Sequence, residues 1–311
     1  MDTDLFISDI ALGTASMGTS TKQDTSNQLL DAYLAFGGNL IDTARIYSPP
    51  EIGRSEHIVG NWLRQTHKRN QIVLMTKGGH PRLENMSQSR MTAKDMRMDL
   101  ELSLRALQTE VIDIYFYHRD NLQQTVEDEI EVMEMFRREG KIRYYGCSNW
   151  DTKRMIAADN YCAKKGYRGF VANQALFNLG SQQMKPLRDQ TMRKIDEKMF
   201  EYHVNHSQNL AMAYKGVAGG YFHRYLTDGA ESVITSPYHT SENIQRAEKC
   251  RELMEKYQAS ISQIVLGFFM QQPFQCIPLY GAKKVSDLED AMKTSEIKFE
   301  MEDFEFSSKK N

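Results

Sequence analysis

Short runs of β-favouring residues alternate along this chain with longer stretches of helical periodicity, and this alternation constrains the fold more than any other feature. The longer stretches carry helix-end signals, such as Thr92, Thr125 and Asp151 at N-cap positions and Gly166 where a helix should stop. Because a strand–helix–strand repeat places successive strands parallel in one sheet, the alternation predicts an α/β fold. Eight runs rich in Val, Ile, Tyr and Phe are predicted as strands, at 10–13, 39–42, 72–77, 112–118, 144–148, 169–174, 209–214 and 274–278.

Eight such units in 311 residues fit a (β/α)8 TIM barrel that forms a single domain over 1–311. A doubly wound open sheet is the main alternative. Against it, the segment 13–18 lacks the G-x-G-x-x-G spacing of a dinucleotide-binding turn and has no helix directly after it. A long connection at 177–208 is predicted to contain an extended helix, and the tail 299–311 is expected to fray.

Composition and charge exclude several classes of function. The 39 Lys and Arg residues nearly balance the 41 Asp and Glu residues, so the chain has no electrostatic basis for binding nucleic acid. Its apolar runs are too short to span a membrane. The four scattered cysteines are predicted to be reduced thiols, which favours the cytoplasm. No metal site is predicted, because His203 and His206 have no third ligand in the sequence and are expected at the surface.

Polar residues stand at the C-terminal end of one predicted strand after another. In a parallel barrel those ends open on one rim, where barrel enzymes place their active sites. The spacing therefore predicts that these side chains converge, although strand ends are also polar simply because solvent begins there. The residues are Asp42, Lys77, His118, Ser148, Asn149, Gln174 and Tyr214.

An acid, an amine, a phenol and an imidazole would share this rim, because Tyr47 lies only five residues after Asp42. A lysine cation favours the phenolate form of a neighbouring tyrosine, so Lys77 could tune Tyr47 to exchange a proton with an alkoxide. Asp42 could hold Lys77 charged, and His118 could donate a hydrogen bond to the same oxygen. With no covalent nucleophile in the set, this chemistry suits carbonyl reduction by hydride from a bound carrier.

Several short motifs occur in order and at barrel spacing, between Leu12-Gly13-Thr14 at one end and Pro278-Leu279-Tyr280-Gly281-Ala282 at the other. Each is weak alone, but the ordered set is specific, and on it the sequence resembles the aldo-keto reductase superfamily over nearly its whole length. The intervening motifs are Asn39-Leu40-Ile41-Asp42-Thr43-Ala44-Arg45-Ile46-Tyr47, Gly53-Arg54-Ser55-Glu56, Thr76-Lys77, Tyr117-His118-Arg119, Gly146-Cys147-Ser148-Asn149-Trp150, Asn173-Gln174, Ala213-Tyr214 and Ala218-Gly219-Gly220.

The resemblance implies a TIM-barrel oxidoreductase with a catalytic set of Tyr47, Asp42, Lys77 and His118, in which Tyr47 is the general acid. It also implies a nicotinamide cofactor lying across the barrel mouth, with its carboxamide held by the polar residues after the fifth and sixth strands and its ring stacked on Tyr214. The pyrophosphate would follow the backbone after the seventh strand, and the adenosine end would meet 281–290. The implied cofactor-binding residues are Gly13, Thr14, Ser148, Asn149, Gln174, Tyr214, Lys215, Val217, Gly219, Gly281, Lys283 and Lys284.

The chain departs from the family pattern at both phosphate ends. Lys215 stands where relatives often have Ser, and it could pair with the pyrophosphate directly. Lys283 and Lys284 could meet a 2′-phosphate, whereas Asp287 nearby would repel it. NADP(H) is therefore favoured, and NAD(H) is the alternative.

The substrate is expected to be a small aldehyde or ketone, or the matching alcohol. Met17, His80 and Trp150 are predicted to line its pocket, with a solvated loop as the alternative for His80 and an aromatic packed at a helix start as the alternative for Trp150. Arg188, Arg193 and Lys194 hint at polar substrates such as sugars. Ser55 and Glu56 are expected to cap a helix start, with a cofactor contact as the alternative. Because the superfamily includes channel-associated subunits, a cofactor-sensing regulatory subunit is the alternative function, and the oligomeric state stays open.

Overall fold

A computed structural model of the chain describes residues 3–305. Its eight parallel strands form a closed barrel in sequence order, with the last strand pairing to the first. The predicted (β/α)8 barrel is confirmed. The strands are β1 (Ala11–Gly13), β2 (Leu40–Asp42), β3 (Val73–Gly78), β4 (Ile112–Tyr117), β5 (Ile142–Ser148), β6 (Ala172–Leu176), β7 (Leu210–Tyr214) and β8 (Cys276–Tyr280).

The helices surround the barrel, and several begin where the sequence predicted. Thr92, Thr125 and Asp151 each accept a backbone N–H with the side-chain oxygen, as N-caps do. Within residues 3–305, none of the helices is long and apolar enough to span a bilayer. They are α1 (Gln23–Ala35), α2 (Arg54–Thr66), α3 (Ala93–Leu107), α4 (Val126–Arg138), α5 (Thr152–Lys165), α6 (Glu197–Asn205), α7 (Tyr221–Asp228), α8 (Ser241–Tyr257), α9 (Ile261–Met270) and α10 (Val285–Met292).

The twofold alternation along each strand decides which side chains enter the barrel. A buried apolar cluster that includes Val73, Met75, Ile114 and Phe116 fills its interior. Lys77 continues the inward series of β3 after Met75, and His118 continues that of β4 after Phe116. The same parity turns Asp42, Ser148, Gln174 and Tyr214 inward above this cluster, so the alternation that fills the core also positions most of the site.

Three expectations about the periphery are wrong. In place of an extended helix, the 177–208 connection contains a 3-10 turn at Ser181–Gln183 and the nine-residue α6. His203, expected at the surface, is buried on α6, with hydrogen bonds to Asn173 and Asn209. The tail does not fray over 299–305, because the Phe304 ring is buried. Residues 306–311 lie outside the described residues.

Gly146 in β5 is fixed by the interior packing. A Cβ there would lie 2.5 Å from Cε1 of Phe116 and 2.6 Å from the Ala172 carbonyl oxygen. We expect Gly146→Ala to lower the free energy of unfolding by about 1–3 kcal/mol, the usual cost of overpacking a core. Urea denaturation measures this, with Gly281→Ala as the control, since its Cβ would have no neighbour closer than 3.8 Å. Equal stability of the two variants would contradict the packing argument.

Candidate active site

The C-terminal rim brings an acid, an amine, a phenol and an imidazole together. Asp42 ends β2, Lys77 lies near the end of β3, and His118 directly follows β4; all three are buried. Tyr47, in the loop after β2, is partly exposed. The convergence predicted from strand spacing is therefore present in the structure.

The Lys77 ammonium is the centre of this group. Its Nζ donates to both carboxylate oxygens of Asp42, at 2.7 and 2.8 Å, and to the Thr43 carbonyl at 2.8 Å. It also lies 3.2 Å from the Tyr47 hydroxyl and 4.9 Å from the centre of that ring. Burial lowers the pKa of Lys77, and the Asp42 carboxylate opposes this shift.

Tyr47 is held as a neutral phenol. Burial raises its pKa well above the usual value, and the Asp42 carboxylate, 3.4 Å from the hydroxyl, raises it further. Burial and Asp42 therefore dominate the pKa of Tyr47, and the effect expected from the Lys77 cation stays a prediction. Tyr47 therefore carries a proton at neutral pH.

His118 presents a neutral imidazole to the same space. Burial lowers its pKa well below the usual value, and the neighbouring charges of Arg119 and Lys77 act in the same direction. Its ring stands 6.0 Å from that of Tyr47 at 78°. A neutral imidazole keeps one N–H, which can donate to an oxygen bound beside Tyr47.

The residues predicted to hold a nicotinamide form a hydrogen-bonded chain along the rim. Ser148 donates to the Gln174 carbonyl at 2.8 Å, Asn149 donates to the Ser148 hydroxyl at 3.1 Å, and Tyr214 donates to the Asn149 amide oxygen at 2.8 Å. Gln174 also donates to Asp42 at 2.9 Å, which joins this chain to the acid–amine pair. Only Tyr214 is partly exposed, so it offers a ring face to a ligand.

The other predicted cofactor residues divide by accessibility. Thr14 is fully buried and bonds the Asp42 carbonyl and Ser55, so its role is to join β1 and β2. The remaining positions lie partly or fully at the surface around the mouth. They are Gly13, Lys215, Val217, Gly219, Gly281, Lys283 and Lys284.

Of the three predicted substrate residues, only His80 lies at the site. Its ring is 4.9 Å from that of His118, and burial lowers its pKa to about 4. Trp150 is fully buried against Tyr117 and Phe170, so it is the aromatic packed at a helix start. The Met17 side chain is also buried in the core. Neither Trp150 nor Met17 lines an open pocket.

Sequence reasoning missed a second ion pair behind Lys77. Glu56 does not cap α2; it is fully buried, accepts from Thr76 at 2.6 Å and pairs with Arg45 at 3.1 Å. The Arg45 backbone N–H donates to the Lys77 carbonyl, and a Cβ at Gly53 would lie 1.6 Å from the Arg45 guanidinium. This brace fixes the loop that carries Tyr47 against β3. The motifs at 39–47 and 53–56 contain both residues of this ion pair, but only the folded loop shows that Arg45 and Glu56 meet.

Arg119 was missed as well. It follows His118, is nearly buried, and its guanidinium donates to the His118 carbonyl at 2.9 Å and to Thr191 at 2.9 Å. Its positive charge therefore lies beside the site. Within residues 3–305, no group of three His, Cys, Asp or Glu residues is placed to hold a metal ion.

The buried ion pair of Arg45 and Glu56 should make the free energy of unfolding depend on pH. Burial raises the pKa of Glu56, and Arg45 opposes the rise. In Arg45→Met the folded-state pKa should rise further, so the added loss of stability should be small at pH about 5 and grow as the carboxyl ionises at higher pH. We expect a cost of about 1–3 kcal/mol at pH about 8, measured by urea denaturation.

Arg54→Met is the matched control, because its partner Glu51 is exposed and only a surface ion pair is lost. An equal loss for Arg45→Met at both pH values would mean that Arg45 acts through packing rather than through the charge of Glu56.

The chain is similar along nearly its whole length to one known protein family. A sequence model described as the aldo/keto reductase family matches residues 9–310. The chain is 26% identical to an aryl-alcohol dehydrogenase [NADP(+)] of Phanerodontia chrysosporium, over 97% of this chain and 82% of that protein. It is 28% identical to an uncharacterized oxidoreductase of Bacillus subtilis, over 96% and 91% of the two chains. A putative aryl-alcohol dehydrogenase of Saccharomyces cerevisiae is 24% identical over 96% and 82%.

Proposed function

The chain belongs to the aldo/keto reductase family and is an oxidoreductase, and we propose that it interconverts an aldehyde or ketone and the alcohol with Tyr47 as the general acid and base. The observation that carries this proposal is the contact of the Tyr47 hydroxyl with the Lys77 ammonium, which Asp42 anchors. A nicotinamide, when bound, supplies or accepts the hydride. The protein supplies the proton and the positions.

Proton transfer is the task of Tyr47. Its raised pKa keeps the hydroxyl protonated until a carbonyl oxygen gains negative charge. The phenolate left behind lies 3.2 Å from the Lys77 ammonium, which stabilises it at that moment. Asp42 keeps Lys77 charged and fixed, and His118 orients the carbonyl by donating its N–H to the same oxygen. In the alcohol-oxidising direction the same atoms work in reverse.

The cofactor contacts are proposed from the fit of the rim residues. Ser148, Asn149 and Gln174 would hold the carboxamide, and the partly exposed Tyr214 would stack on the ring. Around them, Gly13, Val217, Gly219 and Gly281 would offer backbone, and Lys215 would meet the pyrophosphate. Exposed Lys283 and Lys284, at the start of α10, support NADP(H) as the preferred form, in line with the NADP(+) in one relative's name.

The names of the relatives favour an aromatic aldehyde or alcohol as the substrate, ahead of a sugar. A cofactor-sensing subunit is less favoured, because all four side chains of the catalytic set are present and in contact range. We further propose a single catalytic domain over 1–311 acting on small molecules in the cytoplasm. Four buried cysteines without disulfides support that compartment.

Replacing Tyr47 by Phe tests the mechanism. The variant keeps the ring and deletes the proton donor, so the rate of NADPH-dependent benzaldehyde reduction should fall by about 10²- to 10⁴-fold, while NADPH binding persists. Tyr161→Phe, on α5 with its hydroxyl bonded to Glu131, is the control and should keep its activity. Near-normal reduction by Tyr47→Phe would rule out Tyr47 as the general acid.

Charge at the start of α10 should set cofactor preference. Lys284→Gln removes a positive charge from a 2′-phosphate, so NADPH binding should weaken by up to about fivefold while NADH binding is unchanged. Asp287→Asn should act in the opposite sense. For each variant, quenching of tryptophan fluorescence on titration with NADPH and with NADH measures the two dissociation constants. A change of the same size for NADH would place the effect elsewhere than at the 2′-phosphate.

A further inference from the structure

We propose that Arg119 binds a carboxylate carried by the substrate, so that the preferred substrates are aldehydes or ketones that bear an acidic group. This inference rests on the proposed carbonyl chemistry at Tyr47 and adds the substrate class to it. Three observations support it: Arg119 lies beside the site, its guanidinium is incompletely paired, and the groups around it are neutral or already paired.

Arg119 is built into the wall of the site. The residue directly follows His118, is only 9% exposed, and its Nη1 donates to the His118 carbonyl at 2.9 Å. Its positive charge lowers the pKa of His118 and of His80 and opposes the rise in the pKa of Tyr47. Because the guanidinium bonds the His118 carbonyl and reaches Thr191, its charge lies beside the residue that is proposed to orient the substrate carbonyl.

The counter-ion of Arg119 is weakly attached. Asp189 lies 3.4 Å from Nη2, beyond the 2.7–2.9 Å typical of a charge-assisted hydrogen bond, and its side chain is 33% exposed. Its other carboxylate oxygen is held by the backbone and hydroxyl of Thr191, at 2.9 and 2.6 Å. Asp189 is thus a carboxylate that a surface segment presents to Arg119, and it marks where the carboxylate of a ligand would sit.

The Arg119 guanidinium has more N–H groups than the partners described above. Of its five N–H groups, three have the partners already named among residues 3–305: the His118 carbonyl, Thr191 and Asp189. A planar guanidinium binds a carboxylate best with two parallel N–H groups, which gives orientation as well as affinity. A substrate acid can therefore replace the long Asp189 contact without displacing the two shorter bonds.

Apart from Asp189, the rim groups described above add no negative charge that is free to pair with Arg119. Lys77 is paired with Asp42, while His80, His118 and Tyr47 are neutral because burial shifts their pKa values away from the charged forms. An anionic substrate would complete the pairing of a nearly buried cation, and a neutral one would not. The site thus favours acidic over neutral carbonyl compounds of the same shape.

The alternative role for Arg119 is to fasten the segment around Asp189 and Thr191. Two substitutions separate these roles, because they should shift the ratio of the KM for 4-carboxybenzaldehyde to the KM for benzaldehyde in opposite directions. Arg119→Gln should raise the KM for the acidic aldehyde by about tenfold or more. Asp189→Asn removes the competing anion and should lower that KM by about threefold.

Arg119→Lys should keep part of the preference for the acidic aldehyde, since lysine retains the positive charge but lacks the paired N–H groups of a guanidinium. Arg82→Gln, an exposed arginine on the loop after β3, controls for the overall charge of the mouth and should leave both KM values unchanged. A fall in activity of Arg119→Gln and Asp189→Asn alike on both aldehydes would assign Arg119 to fastening the segment and overturn the proposal. So would wild-type protein that shows no preference for the acidic aldehyde.

The proposed function fails separately, if wild-type protein turns over neither aldehyde with either cofactor. Calorimetric titration with 4-carboxybenzaldehyde then tests the carboxylate site on its own. Binding by wild-type protein that Arg119→Gln abolishes would support the site, and equal or absent binding by both would overturn it.

Discussion

The buried pair of Lys77 and Asp42 is the interaction on which the rest of the site depends. A fully buried ammonium is tolerated only where its charge and its N–H groups are met, and here both oxygens of Asp42 and the Thr43 carbonyl meet them. The parallel pairing of β2 with β3 sets this geometry, since Asp42 lies opposite Met75 and Lys77 is the next inward residue. A register shift by one residue would turn Lys77 out toward the helices. The ion pair and the barrel register therefore specify each other.

Much of this arrangement could be predicted from the sequence because it follows from periodicity. The strands, the N-caps at Thr92, Thr125 and Asp151, and the convergence of Asp42, Lys77 and His118 are consequences of local pattern and parallel topology. These features need no knowledge of which side chains touch.

What could not be predicted depends on contacts between distant segments. Trp150 adjoins Asn149 in the chain, but the next helix turns its indole inward onto Phe170, 4.8 Å away. The pair of Arg45 and Glu56 exists only because Gly53 leaves room for the guanidinium. The raised pKa of Tyr47 could not be predicted for a related reason: the sequence shows which charges are near, whereas burial, the largest cause of the shift, is a property of the packed rim.

Asn149 shows how closely the cofactor and substrate sides of the mouth are coupled. Its backbone is left-handed, at φ 62°, and its side chain donates to the His118 carbonyl while accepting from Tyr214 and from the Arg193 backbone. The His118 carbonyl in turn accepts from Arg119, which reaches Thr191 on the same segment as Arg193. One amide thus joins the tyrosine proposed to stack on nicotinamide, the histidine proposed to orient the carbonyl, and the segment that carries Asp189. Movement of that segment on exchange of Asp189 for a ligand would be transmitted to Tyr214, because the Tyr214 hydroxyl shares its one proton between the Asn149 amide oxygen and the Arg193 carbonyl. Cofactor and substrate binding should therefore be coupled in this protein through the hydrogen bonds of the rim.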